Sequence, residues 1–384
     1  MSETTMRRPL SLQLAMSSML FLWCVVAAFP IFWVAVMSFK SPIDAFDRNA
    51  LAVLLGPRTI GDGHGISLTG LVLGLAVIWG AIRLGARTLP RLIRTRVPQA
   101  IRPVGWGLGG LVLGLGTLVV FFGLLPWLLG LLDPVAGPLG QPVIGLTAEH
   151  YRSVWVDRGF ALNFQNSLVV TLGVVIVSLT VGTLAGYGLA RSRTSLAFWI
   201  LIVALIFRAL PHSVLVAGYL PVFVNSAEWL APILGDNAPT LYGKPFAVIA
   251  VLVAINQPFT IWMLNSFFQS IPAELDEAAR VDGCTHLQAF RKVIMPVMWP
   301  GVITTGLFSF LLGYNDFLVT SLLLDAQNQT MVPAIAGMFS RETTMTDQVE
   351  AVAAAVSITA PLLVLVMIFQ RQIVSGLTAG AVKG

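Results

Sequence analysis

The sequence predicts an all-α, polytopic membrane protein: a six-span core with about two further spans inserted after the first. Three observations predict it. Of 384 residues, 56% are hydrophobic and only 11% are charged, well outside the usual soluble composition. Apolar runs approaching the roughly 20 residues a helix needs to cross a bilayer recur near 12–38, 66–82, 104–132, 167–190, 196–220, 245–268, 301–324 and 351–370. Lys and Arg, finally, gather on alternate connections. With the N-terminus inside, Arg7, Arg8, the arginines from Arg83 to Arg102, Arg191, Arg193, Arg280, Arg291, Lys292, Arg371 and Lys383 all lie on the cytoplasmic side. That is the side the positive-inside rule assigns to them, so both termini are predicted inside. The net charge of +5 follows from this placement and does not call for a nucleic acid.

Taken in order, residues 1–47 are a tail and a first span. The span follows Met6-Arg7-Arg8, is too long for a signal-peptide core, and precedes no small-x-small cleavage site, which predicts a retained anchor. Residues 48–160 read as an insertion: an inward span at 66–82, a basic connection at 83–102, and an outward span from Val104. Adding an even number of spans leaves the topology of the rest unchanged. Gly105/Gly109 and Gly110/Gly114 are small-xxx-small pairs suited to close helix contact. The stretch 133–165 is rich in Pro and Gly, then turns aromatic and polar at Tyr151, Trp155, Asp157 and Arg158. That predicts an external loop ending in an interfacial belt. Residues 161–384 form the core. Cys24 in the first span and Cys284 in a cytoplasmic loop are not placed to bridge.

One loop of the core, 274–296, is built as a helical module. Pro272 suits a first turn, where its missing N–H costs nothing. Glu274, Asp276 and Glu277 put negative charge at the positive end of the helix dipole. Gly283 supplies a stop. Thr285, with Gln288 three residues on, begins a second short helix through a capping box that runs to Pro296. Ala278, Ala279 and Gly283 allow close backbone approach, so the two helices make a plug for a groove in another protein. The plainer alternative is an amphipathic helix lying on the membrane surface.

The run Glu277-Ala278-Ala279, three residues, Gly283, nine residues, Val293, Ile294, Met295, Pro296 resembles the EAA loop of the membrane subunits of binding-protein-dependent ABC importers, with Val293 and Met295 in place of Ile and Leu. The segment from Gln370 to Gly384 is similar to the tail of sugar-importer permeases of the maltose G-subunit type. Asn166-Ser167-Leu168, Gly186 to Arg191, Thr330 to Pro333 and Gly313 to Phe317 resemble other blocks of that family. Tyr314 and Asp316 stand for a Trp and a Glu there. The long insertion resembles that of the α-glucoside importers. The resemblance implies ATPase coupling through Glu277, Ala278, Ala279, Asp282, Gly283 and Pro296. It implies a tail contact through Gln372, Gly376, Leu377 and Thr378, against which stands the alternative of a frayed terminus. The implied partners are a second permease subunit, a dimer of ATPase subunits carrying the ATP and Mg, a periplasmic sugar-binding protein, a sugar, and the lipid of a bacterial inner membrane. No cofactor is expected in this chain.

No phosphate-binding Gly-rich loop of the Walker type occurs. His64, His150, His212 and His286 show no zinc-like spacing, and no Gly-x-Ser-x-Gly elbow appears. Nothing in the sequence points to an enzyme. Polar groups at bilayer depth remain, and these usually face a cavity or a partner. Arg208 and Asp316 are placed within spans at depths of roughly 18 and 22 Å, close enough to pair. His212 lies one turn from Arg208, Asn315 precedes Asp316, and Asn256 and Gln257 precede Pro258. These six either line a translocation path or hold helices together. The alternative to an ABC importer is a secondary transporter or channel working alone. Such a protein calls for repeats and ion-coupling charges that are thin here.

Overall fold

The computed structural model describes residues 10–96, 109–110, 112–114, 116–117, 119–192, 194–208, 211–340 and 343–379. Arg7, Arg8, Arg102, Gly105, Arg193, Lys383 and the last five residues of the tail lie outside them. The principal helices are α1 (Leu10–Met37), α2 (Leu68–Arg96), α3 (Phe160–Arg191), α4 (Ser195–Arg208), α5 (His212–Val224), α6 (Pro245–Gln269), the short α7 (Glu274–Val281) and α8 (His286–Ala289), α9 (Met295–Tyr314) and α10 (Met345–Ala379). Among the described residues, six helices are long and apolar enough to cross a membrane. The chain forms two compact units, residues 1–158 with 338–362, and residues 159–337 with 363–384.

In the first unit, α1 buries none of its apolar window within the chain. It leads into a small cap of short helices and one antiparallel strand pair, Ile66–Ser67 with Pro142–Ile144. The cap is organised by buried charge. Lys40 is fully buried and donates to the carbonyls of Leu54 at 2.8 Å and Gly145 at 2.5 Å, while its own carbonyl lies 2.9 Å from His150 Nε2. Burial lowers the Lys40 pKa, against the pull of Asp44. Asp44, also buried, accepts from the Thr59 backbone and hydroxyl, each at 2.7 Å, and from the Arg58 backbone at 3.2 Å. Burial pushes the Asp44 carboxyl up, but the donors of Thr59, Arg58 and Ser41 outweigh it and hold it below its ordinary value. A depressed carboxylate stabilises the fold above its unfolded value of about 4, and this is lost as pH falls through the lower folded value. Asp44→Ala is therefore expected to cost about 1–3 kcal/mol at neutral pH. The difference in melting temperature from the natural chain, measured in detergent, should shrink steadily in acid.

The basic connection expected at 83–102 is helical as far as it is described, because α2 continues through the arginines to Arg96. Arginine is a good helix former and need not end a span. Gly109 closes on Leu89 across the inserted helices, whereas nothing approaches Gly110 or Gly114. The aromatic end of the following loop is no simple lipid belt. The Tyr151 hydroxyl meets Ser38 at 2.7 Å, Trp155 Nε1 donates to Ser357 at 3.1 Å, and Arg158 pairs with Asp347 and Glu350 of α10.

The second unit is organised around α6, with α3 and α9 against it. Small residues let the helices approach: an added Cβ would meet Ile249 at Gly173, Thr260 at Gly182 and Phe267 at Gly301, all under 3.0 Å. Val170, Val174, Val248, Val251, Leu252, Val319 and Leu323 form one core cluster. α3 starts at Phe160, before the expected 167, and its Asn163 and Asn166 donate to Gln329 O at 2.9 and 3.2 Å, pinning the loop ahead of the Met331–Gly337 helix. The run at 196–220 is two helices, α4 and α5, with Pro211 capping the second. α9 ends at Tyr314, ten residues short of the expected 324.

Candidate functional site

The loop at 274–296 forms a hairpin of two helices at the end of the second unit. Glu274, Asp276 and Glu277 occupy the first turn of α7. At its other end, Gly283 N–H donates to Arg280 O and Cys284 N–H to Ala279 O, both at 3.0 Å. This pair of hydrogen bonds closes a helix only when the residue after the cap is left-handed, and Gly283 has φ +88°. The capping box is also present: Gln288 N–H donates to Thr285 Oγ1 at 3.3 Å, and Thr285 N–H to Gln288 Oε1 at 3.0 Å. The second helix does not stop at Pro296. A π-turn at Phe290–Ile294 carries it into α9, so His286–Tyr314 is one candidate span of 29 residues. The wider turn takes up the ring and missing N–H that would otherwise end an α-helix at this proline.

One face of the hairpin is anchored and the other is bare. Asp276 accepts from the Tyr187 hydroxyl and from Arg191 Nε, each at 2.7 Å. Arg191 also donates to the carbonyls of Phe268 at 3.3 Å and Ile271 at 3.2 Å, which end α6. The Tyr187 ring lies edge-on to Phe268 at 5.4 Å and tilted against Phe290 at 4.8 Å. Ala279 and Ala289 face this anchor and are buried, with Ile294 and Met298 in the core beneath. Glu277, Ala278, Asp282, Gly283 and Pro296 are exposed, beside Val281 (87% exposed) and Leu287 (70%). The sequence reading gave Asp276 only a dipole role. The basic residue ending the Gly186–Arg191 block, at the same membrane face as the acidic first turn of α7, was the available signal.

The tail is helical as far as Ala379, including Gly376, Leu377 and Thr378. A helix already nucleated extends without the entropic cost of starting. The Gln372 carbonyl accepts from Thr304 Oγ1 of α9 at 2.9 Å.

Of the six polar groups assigned to membrane depth, two hold helices together. Asn256 is buried and donates to Thr260 at 3.0 Å and Ser309 at 2.8 Å, tying α6 to α9. Gln257 donates to Ser178 O of α3 at 3.4 Å. The expected pairing of Arg208 with Asp316 is corrected. Arg208 is the last residue of α4, exposed, with its guanidinium 4.2 Å from the centre of the Phe259 ring. Asp316 lies past the end of α9 and accepts from the Thr320 backbone at 2.9 Å, opening the Leu318–Leu323 helix. No ion pair joins them among the described residues. The hydrophobic run continues past α9 into a separate helix, so Asp316 stands between two helices rather than inside one. His212, at the start of α5, acts electrostatically on Asp316, and both His212 and Asn315 are exposed.

Six helices long and apolar enough to cross a bilayer define an integral membrane protein, and its helical hairpin leaves one face exposed. This chain belongs to the family of binding-protein-dependent transport system inner membrane components, whose family profile matches residues 178–378. The diacetylchitobiose uptake system permease protein DasC of Streptomyces coelicolor is 34% identical over 241 residues, 62% of this chain and 82% of that protein. The trehalose transport system permease protein SugB of Mycobacterium tuberculosis is 33% identical, covering 62% of this chain and 83% of that one. The trehalose/maltose transport system permease protein MalG of Thermococcus litoralis is 30% identical, covering 64% and 85%. The chain is therefore a permease subunit of an ABC importer in the inner membrane, and the stand-alone transporter is set aside.

Proposed function

We propose that this permease carries a sugar or oligosaccharide inward, forming half of a path completed by a second permease subunit. The observation supporting the substrate class is that all three relatives above are named for glycosides, diacetylchitobiose, trehalose or maltose. In this reading a periplasmic binding protein delivers the sugar, and a dimer of ATPase subunits, holding ATP and Mg, grips the exposed face of the hairpin at Glu277, Ala278, Asp282 and Gly283. Buried Ala279 shapes that hairpin from within, and exposed Pro296 lies on its outer side. The chain itself catalyses nothing and takes no cofactor. Both termini lie in the cytoplasm, where Gln372, Gly376, Leu377 and Thr378 reach the ATPase pair. Residues 48–160 are an insertion outside the matched family region that leaves the core topology unchanged. Exposed Arg208, His212 and Asn315, with half-buried Asp316, border the path. The test is uptake of labelled disaccharides by vesicles holding the full importer, with and without binding protein. ATP-dependent uptake of a glycoside is expected; uptake of only a non-sugar solute by the intact complex would overturn the substrate class.

A further inference from the structure

α2 has two unlike faces. Along one, Gly70, Gly74 and Gly85 close on the other inserted helical segment. A Cβ there would stand 3.0 Å from Leu129, 3.2 Å from Phe121 and 3.1 Å from Leu113. At 3.6 residues per turn, Arg83, Arg87 and Arg91 fall within an arc of about 80°, centred roughly 130° from the glycines. Val72 and Trp79 precede them at about 60° and 80° from the centre of that arc, and Leu75 lies further round at about 120°; each is 59% exposed. This side of the helix is therefore bare and apolar for its first half, then bare and cationic. All three arginines are exposed, and the Arg83 guanidinium lies 4.7 Å from the centre of the Trp79 ring.

Among the described residues this charge has no carboxylate to answer it. No Asp or Glu occurs in the sequence between Asp62 and Asp133, and among the described residues no ion pair reaches Arg83, Arg87 or Arg91. We infer that the Arg83–Arg87–Arg91 stripe binds the phosphate headgroups of anionic phospholipids. The apolar run ahead of it, 66–82, is only about long enough to cross a hydrocarbon core, which sets Arg83 at headgroup depth. Trp79 beside it is the residue type that settles at that interface. Arg87 and Arg91 follow at steps of about 6 Å. Every cation in the stretch is arginine, whose planar fork matches a phosphate where an ammonium offers a point charge. Continuity with an acyl-facing surface favours lipid over the acidic surface of a soluble protein, which would leave Val72, Leu75 and Trp79 unexplained.

The test is native mass spectrometry of the purified full chain titrated with phosphatidylglycerol or phosphatidylcholine. The natural chain should retain phosphatidylglycerol preferentially. Arg83→Gln/Arg87→Gln/Arg91→Gln should lower that retention by about fivefold per arginine removed, while the triple Lys variant keeps the larger part. An equal change of net charge away from α2, Arg48→Gln/Arg58→Gln/Arg152→Gln, should leave retention unchanged. Each variant is checked for unaltered melting temperature, and the Lys variant separates loss of charge from loss of fold. Equal retention of the two lipids by the natural chain, or equal losses in the two Gln triples, would overturn the inference. So would a stripe variant that keeps phosphatidylglycerol but no longer co-purifies with ATPase subunits, which would assign the stripe to a protein surface.

Discussion

Asp276→Ala is expected to reduce ATP-dependent uptake at least tenfold while leaving the protein inserted in the membrane. Asp276 is the one side chain of α7 that both Tyr187 and Arg191 hold, and it lies close to the bundle, with its side chain 14% exposed. Removing it leaves Arg191, only 20% exposed, with no carboxylate, held by two carbonyls and the face of the Tyr187 ring. A charged hydrogen bond of this kind is worth about 1.5–3 kcal/mol, and each 1.4 kcal/mol is a factor of ten in any equilibrium that depends on the docked position of the hairpin. Asp276→Glu, which keeps the charge, should retain part of the activity. Arg191→Lys should not, since one ammonium cannot serve a carboxylate and two carbonyls in the fixed directions of a guanidinium. Uptake, ATPase association and expression measured together check this. Normal uptake by Asp276→Ala would remove the anchor from the transport mechanism.

Gly283→Asp should have the larger effect, about a hundredfold loss or more, by a different route. The left-handed backbone there costs an ordinary residue about 1–2 kcal/mol, yet no atom lies within 4 Å of an added Cβ. Gly283→Ala should therefore strain the turn without blocking its surface, and Gly283→Asn should strain it less. Aspartate adds a charge on the bare face, beside Asp282 and Glu277, where a partner must approach. Glu277→Lys should likewise abolish uptake by reversing charge on that face. If Asn, Ala and Asp at 283 all lose the same activity, the turn alone matters; a graded series ending in Asp supports docking. Vesicle uptake and co-purification of the ATPase supply the two readouts.

Much of the hairpin was legible because it obeys local rules. The acidic first turn of α7, the glycine stop and the Thr285–Gln288 box each depend on residues a few positions apart, and each is present as expected. The anchor beneath was not legible in the same way. Asp276 and Arg191 are 85 positions apart, and a first-turn carboxylate already has a sufficient local explanation. Span limits failed where hydropathy and helix part company. Arg83 to Arg96 are polar but helical, and Leu318 to Leu323 are apolar but belong to a separate helix beyond Asp316. Pro296 read as a terminator because no periodicity announces a π-turn. Asn256 looked the same, as a sequence, whether it lined a path or joined two helices; only its bonds to Thr260 and Ser309 decide.

The π-turn at Phe290–Ile294 makes the second hairpin helix and α9 a single rod. At 1.5 Å per residue, His286 to Tyr314 measures about 40 Å. A lever of that length turned by only five degrees about one end moves the other by about 3.5 Å, comparable to a shift of two residues along a helix. A chain that holds residues 286–289 thus has mechanical purchase on Tyr314, Asn315 and the approach to Asp316 through a helix continuous across the π-turn. Small displacements at the membrane surface become changes of the size of a sugar hydroxyl's hydrogen-bonding reach at the far end.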